Sequence, residues 1–255
     1  MLQQTQAVRV VPAFTRFLNR FPTIEVLAAA PVSDVVREWS GLGYNRRAVS
    51  LAHAARVVVR EFGGVVPDDP HVLTRLPGVG PYTAAAVASI AYGVPVPAVD
   101  TNVRRVVARA RLGANPQGVA AIEIDRAARR WLDRDDPGRW NQALMDLGRV
   151  TCRPVPRCSR CPLASACSSR ARGVPPRMLD VRRSSFEGSF RQVRGAVVEA
   201  LRAVPAATLG SLSRRIGLPA ERVGQAVRAL AKDGVVRAGP AALAGRSRGR
   251  ISLPA

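Results

Sequence analysis

The residue best suited to chemistry is Asp100, which stands in the apolar run Pro97-Ala98-Val99-Asp100-Thr101-Asn102, after an alanine-rich helical stretch. Before that stretch lies a glycine hairpin, Pro77-Gly78-Val79-Gly80, followed by Pro81 and Tyr82. Glycine tolerates φ > 0 and lets a backbone come close, so the hairpin aims N–H groups at an anion. Proline suits the first helical position, and the helix N-terminus adds partial positive charge. An anion grip at a fixed separation from a carboxylate is the layout expected of an enzyme that holds a DNA backbone while doing chemistry at one sugar. Aspartate is also a favoured N-cap, so Asp100 can start the helix near Thr101 as well as serve the reaction.

A second constellation is built from sulfur. All four cysteines occur within sixteen residues, as Cys152-x5-Cys158-x2-Cys161-x5-Cys167. Such clustering in a cytosolic protein points to a metal rather than to disulfides. A structural zinc usually uses two close cysteine pairs, and here only Cys158 and Cys161 are close. Four thiolates in one loop suit a [4Fe–4S] cluster better, with zinc as the alternative. The loop would present Arg153, Arg157 and Arg160 to DNA phosphates. Chemistry through an amine is constrained too: of the 39 basic residues only Lys232 is a lysine. Unless Lys232 or the α-amino group reaches the site, strand cleavage through a lysine Schiff base is excluded.

The elements that must position these groups are helical. Apolar periodicity predicts helices over 4–21, with Val8, Val11, Phe14, Phe17 and Leu18 on one face, and over 31–39 and 46–62. Further helices are expected near 81–92, 101–112, 119–132 and 137–150, while strand signals are weak. The expected organisation is an all-α domain over 1–151, a cysteine loop over 152–169, a basic linker over 170–189, and a tail module over 190–255. In the tail, three helices (191–204, 208–216 and 220–232) precede an apolar–glycine alternation that suits a β-wing. That combination is a small winged-helix-like α/β module for DNA or protein binding, with a plain helical cap as the competing reading.

Net charge is +21, and it is uneven: 19 basic against 13 acidic residues in 1–150, and 20 against 5 in 151–255. A polyanionic partner accounts for the deficit of acids, and counterion release from nucleic acid would supply affinity. No run of 18 apolar residues and no signal peptide occurs, so the expectation is a cytoplasmic, nucleoid-associated monomer without a membrane partner.

Together the hairpin, the later aspartate and the four-cysteine loop resemble the helix-hairpin-helix base-excision DNA glycosylases, the superfamily of endonuclease III. Within it the chain is most similar to the A/G-mismatch adenine glycosylases, through MLQQTQ at 1–6, WSGLGYNRRA at 39–48, LPGVGPYTA at 76–84, PAVDTNVRRV at 97–106 and WNQALMDLG at 140–148. The resemblance covers about residues 1–170 and implies the helix-hairpin-helix glycosylase fold with an iron–sulfur loop. It implies a monofunctional enzyme that flips adenine out of a pair with 8-oxoguanine or guanine and hydrolyses its N-glycosidic bond. It also implies roles. Asp100 would stabilise the oxocarbenium-like sugar, Asn102 would hydrogen-bond beside it, and Tyr82 would place a phenol at the sugar where endonuclease III has its lysine. Gly78, Val79 and Gly80 would grip phosphate, Gln4 and Tyr44 would wedge into the duplex, Thr5 would contact the base opposite, and Gln142 would read the adenine edge.

The chain departs from that pattern at several points. The family's general acid, a glutamate, lies two residues before the position matching Met1, which implies either a start set too late or a paralogue that binds mismatches with little excision. General acid catalysis is typically worth about 10²–10⁴-fold. The first cysteine gap is five residues where the family usually has six, and a large domain for 8-oxoguanine is not evident in the tail. A thymine or uracil glycosylase acting on T:G or U:G pairs, and a catalytically inactive mismatch-binding protein, stand as alternatives.

Overall fold

The computed structural model describes residues 1–3, 5–174 and 185–255; Gln4, expected to wedge into the duplex, lies outside the described residues, as does the middle of the expected linker. The chain forms two compact units, one made of Met1–Val66 with Arg183–Ala255 and the other of Pro67–Arg182.

The first unit begins with α1 (Ala7–Arg20), α2 (Ile24–Ala29), α3 (Val32–Glu38) and α4 (Arg46–Phe62). The α1 core face differs from the one expected. Val10, Ala13 and Phe17 are buried, whereas Val8, Val11, Phe14 and Leu18 are exposed. The helix has one broad apolar face opposite Arg9, Arg16, Asn19 and Arg20, and packing buries only its Val10–Ala13–Phe17 edge. The short helix α2 was not expected; the Thr23 hydroxyl caps it by accepting from the Val26 N–H.

The second unit holds α5 (Pro70–Leu73), α6 (Pro81–Tyr92), α7 (Thr101–Leu112), α8 (Ala121–Trp131), α9 (Pro137–Val150) and α10 (Ser168–Ala171). The core gathers on α7, whose Val103, Val106, Val107 and Ala108 pack with Ile124 and Ala128 of α8 and Leu144 of α9. Helices α7 and α9 approach closely at Gly148, where a Cβ would come within 2.6 Å of the Asn102 Cβ. That proximity fixes the helix carrying Asp100 at its N-terminus.

The tail returns to the first unit as α11 (Phe190–Arg202), β1 (Ala207–Thr208), α12 (Leu209–Ile216), α13 (Ala220–Lys232), β2 (Arg237–Ala238), α14 (Pro240–Leu243) and β3 (Arg250–Ser252). The three strands form one antiparallel sheet in the order β1-β3-β2, with Ile251 opposite both Ala207 and Ala238. Val193, Val197, Val198 and Leu201 of α11 belong to the same apolar cluster as Val35, Val36 and Trp39. The compact units therefore cut across the expected boundary at 151, because residues 1–66 share a core with the tail. The physical reason is size: four helices in about 60 residues bury only about 60% of the surface their unfolded chain exposes. No described helix is long and apolar enough to cross a membrane.

Candidate active site

Asp100 is the N-cap of α7, and three of its roughly four acceptor positions are filled. Its Oδ1 accepts from the backbone N–H groups of Asn102 and Val103 at 2.8 and 2.7 Å. Its Oδ2 accepts from the Asn102 Nδ2 at 2.9 Å. One lone pair on Oδ2 is left, on a half-buried carboxylate. The cap thus does not compete with chemistry: it clamps one oxygen and leaves the other partly open. Asn102 is itself held, its Oδ1 accepting from the Arg105 guanidinium at 2.8 Å.

The hairpin opens α6. Gly78 has φ of +78°, the left-handed conformation that closes the turn in which the Val79 N–H donates to the Leu76 carbonyl at 3.1 Å. No side chain caps α6 at Gly80, and Pro81 occupies its first turn. The first N–H groups of such a helix lack carbonyl partners within it. Gly78, Gly80 and Pro81 are exposed. Tyr82, on that same turn, donates its hydroxyl to the Met145 Sδ of α9 at 3.6 Å. Burial first, and the negative charge of Asp100 second, push the Tyr82 phenol above its ordinary range. The phenol therefore remains a neutral donor, within electrostatic reach of the carboxylate.

Gln142 is exposed on α9, one turn before Met145, and lines a cavity of about 340 Å³ with Ser89, Ile90, Asp136 and Arg139. Neither Asp100 nor Tyr82 lines that cavity. The neighbouring Asn141 is fully buried. Its Oδ1 accepts from the Ala98 N–H at 2.7 Å, and its Nδ2 donates to the Ser89 Oγ and to the Val96 and Pro137 carbonyls at 2.9–3.0 Å. Asn141 so pins the segment that delivers the chain to Asp100. Sequence reasoning passed over it in favour of Gln142; the signal available was a polar side chain on the core face of α9, three residues before Leu144.

In the other unit Tyr44 is 55% exposed and has φ of +48°, the only positive value at a non-glycine among the described residues. A bulky residue in this region costs about 1–3 kcal/mol and persists only where its surroundings impose it. The imposing residue is Arg47. Its guanidinium donates to the Met1, Gln3, Leu42 and Gly43 carbonyls and to the Thr5 Oγ1, and it lies over the Trp39 and Tyr44 rings. The Thr5 hydroxyl is engaged too, donating to the Leu42 carbonyl at 3.1 Å. Arg47 therefore ties the N-terminal segment to the turn that presents Tyr44. Arg47→Lys keeps the charge but loses the planar fork. We expect it to lower stability by about 1–3 kcal/mol, the cost of leaving buried acceptors unpaired. Thermal unfolding with circular dichroism measures this, and an unchanged midpoint would contradict the role.

None of the four cysteines is in a disulfide. Their loop is anchored to α7. Arg109, nearly buried, donates to the Cys152 Sγ at 3.8 Å and to the Arg153 and Pro154 carbonyls at 2.7 and 3.1 Å. Arg105 donates to the Cys152 and Gly148 carbonyls at 2.6 and 2.7 Å. Burial pushes the Cys152 thiol up, with the hydrogen bond and charge of Arg109 opposing it. Cys158 and Cys167 line a cavity of about 260 Å³ beside Arg109. Among the described residues no three His, Cys, Asp or Glu side chains are grouped so as to hold a metal ion. Neither arginine was singled out in advance, although Arg109 falls at helical spacing from the core residue Val106.

Residues 1–133 match the family model of the HhH-GPD superfamily of base excision DNA repair proteins, and the chain belongs to that family. Its curated relatives include the adenine DNA glycosylase of Mycobacterium tuberculosis, 45% identical over 207 residues that span 80% of this chain and 68% of that protein. The human adenine DNA glycosylase is 43% identical over 176 residues, 68% of this chain and 32% of that protein. Among solved structures, a thermostable thymine-DNA glycosylase matches with a TM-score of 0.62 and 30% identity, covering 67% of this chain and 80% of that one. A non-covalent complex of endonuclease III with DNA matches with a TM-score of 0.58 and 26% identity over 68% and 80% of the two chains.

Proposed function

We propose that this protein is a monofunctional adenine DNA glycosylase acting on adenine paired with 8-oxoguanine or guanine. The observation that carries the reading is the Asp100 carboxylate, clamped as a helix cap with one lone pair open and close enough to Tyr82 to shift its phenol. The hairpin Gly78-Val79-Gly80 holds a phosphate at its exposed glycines, Val79 closing the turn with its own N–H, and the target nucleotide leaves the stack before its sugar meets the site. As the C1′–N9 bond breaks, its electron pair departs with adenine and positive charge grows on the sugar. Asp100 faces that charge, Asn102 fixes the carboxylate, Tyr82 supplies a phenol at the sugar, and water then adds at C1′, its hydroxyl staying on the sugar of the abasic site and its proton balancing the one taken up by the departing adenine. Gln4 and Tyr44 fill the space left in the duplex, Thr5 contacts the opposite base, and Gln142 reads adenine. The names of the relatives support adenine as the substrate.

The cysteine loop carries the [4Fe–4S] reading. Cys152, Cys158, Cys161 and Cys167 would hold the cluster, whose four thiolate ligands match the four cysteines of this one loop. The cavity beside Cys158 and Cys167, and the cationic Arg105 and Arg109, suit an anionic cluster. A cluster held by these cysteines would cross-link the loop that carries the exposed Arg153, Arg157 and Arg160, which this chain turns toward DNA. The tail supports a winged-helix reading through its element order, helix-strand-helix-helix-strand-helix-strand, in which only the short α14 separates β2 from β3 and β3 is central in the sheet.

The resemblance to a thymine-DNA glycosylase supports a second reading, excision of thymine or uracil from pairs with guanine. Single-turnover cleavage of duplexes carrying A:8-oxoguanine, A:G, T:G and U:G separates the two. We expect release of adenine only; release of thymine without adenine would overturn the substrate, and tight binding without any release would leave a mismatch-binding protein.

A further inference from the structure

The tail holds a basic face that the chemistry at Asp100 does not use. Residues 185–255 carry 12 basic and 4 acidic residues, and none of the acids lies after Asp233. Two of the acids are neutralised locally: Glu199 pairs with Arg202, and Asp233 with Arg194 and Arg46. The remaining charge is concentrated where α12, α13 and the loop before β3 meet. The Gly210 N–H in the first turn of α12 donates to the Ser247 carbonyl at 2.9 Å, which seats the loop Arg246-Ser247-Arg248 on that helix. Gly249, where a Cβ would overlap the backbone of Ala242, packs the end of the loop against α14. Arg228 of α13 donates to the Leu243 carbonyl at 3.4 Å, and Arg214 of α12 reaches toward the same region beside Gly210. Arg214, Arg228, Arg246 and Arg248 are all exposed.

We infer that this face is a second grip on duplex DNA, binding the phosphate backbone without reading sequence. The guanidinium fork matches phosphate geometry, and four such forks on one ordered surface follow a polyanion better than a point ligand. A protein partner would need an apolar or aromatic centre, and among the described residues of α12, α13, α14 and the loop before β3 the only exposed large apolar side chain is Leu243. A membrane surface would need a free apolar helix face, but Leu209, Leu212, Val223 and Val227 of α12 and α13 are buried. Because α11 shares its core with α3, the basic face is built into the first unit and is not a loose extension. The inference rests on DNA as the substrate but not on which base is removed.

The test uses the full chain with its cofactor, and compares wild type with Arg246→Ala/Arg248→Ala and Arg246→Glu/Arg248→Glu. Both side chains are exposed, and an unchanged melting midpoint would verify that the fold is intact. Binding to an undamaged duplex is measured from 50 to 300 mM salt. The alanine pair should reduce the slope of log K against log salt by about 1.8, the loss of two phosphate contacts. The glutamate pair should weaken binding at 150 mM salt by more than tenfold. Single-turnover excision at saturating enzyme should stay at the wild-type rate, so a failure of the glycosylase reading shows separately as absent excision in wild type. An unchanged salt slope would overturn the inference. So would loss of binding to polyglutamate with DNA binding intact, which would assign the face to an acidic protein.

Discussion

Asp100→Asn is expected to abolish excision, by at least about 10²–10³-fold in the single-turnover rate, while leaving the fold and duplex binding in place. The magnitude follows from removing a preorganised charge aimed at a developing opposite charge. The separation of function from stability follows from the cap. Asparagine is as good an N-cap as aspartate, and its side-chain oxygen can still accept from the Asn102 and Val103 N–H groups. What changes is Oδ2, the oxygen with the open lone pair. In the variant an amide stands there, without charge and facing the donor Nδ2 of Asn102. Rapid-quench measurement of base release, with a gel-shift titration of the same duplex, reads both quantities. Retained excision would contradict the assignment, and a large fall in melting temperature would show that Asp100 acts mainly as a cap.

Asn141→Leu is expected to be the most damaging single change in the second unit. The substitution nearly conserves volume but strands the Ala98 N–H in a dry interior and removes the donor to the half-buried Val96 carbonyl. An unpaired buried group costs about 1–3 kcal/mol and the half-buried carbonyl adds less, which places the loss at about 2–4 kcal/mol, a large share of a typical domain's stability of about 5–15 kcal/mol. The functional consequence is separate. The pinned segment leads directly into Asp100, so its release should lower excision even below the melting transition. Urea unfolding followed by circular dichroism gives the first quantity and single-turnover cleavage at low temperature gives the second. A variant with wild-type stability would show that Asn141 is not the pin.

Much of the candidate site could be read from sequence because its chemistry and its local structure use the same residues. Gly80-Pro81 and Asp100-Thr101 are both helix starts, and the structure begins α6 and α7 at these positions. Helices α4, α9 and α13 likewise have the expected bounds, each with an apolar stripe and a clear start or stop signal. The core face of α1 could not be read in full, because its apolar face is broader than the contact, and only the Val10 and Phe17 edge is buried while Val11 and Phe14 stay exposed. Nor could the union of residues 1–66 with the tail, which depends on apolar faces distant in sequence finding each other. Asn141, Arg47, Arg105 and Arg109 were missed for a related reason. Their importance lies in the backbone carbonyls they satisfy, and the sequence does not say where those carbonyls will be. The charge pattern was informative about a partner but silent about geometry; only the seating of Ser247 on α12 brings the tail arginines together.

The proposed role of Asp100 is to face a sugar that becomes cationic as its base departs. It is tested most directly by binding, without any turnover. Affinities are measured for two duplexes that differ at one position opposite 8-oxoguanine, one carrying a cationic pyrrolidine in place of the sugar and the other a neutral tetrahydrofuran. Wild type should prefer the cation by at least about 10²-fold, as transition-state mimics are preferred over neutral ground-state forms, and Asp100→Asn should lose most of that preference. Equal affinity of the wild-type protein for the two duplexes would contradict the account.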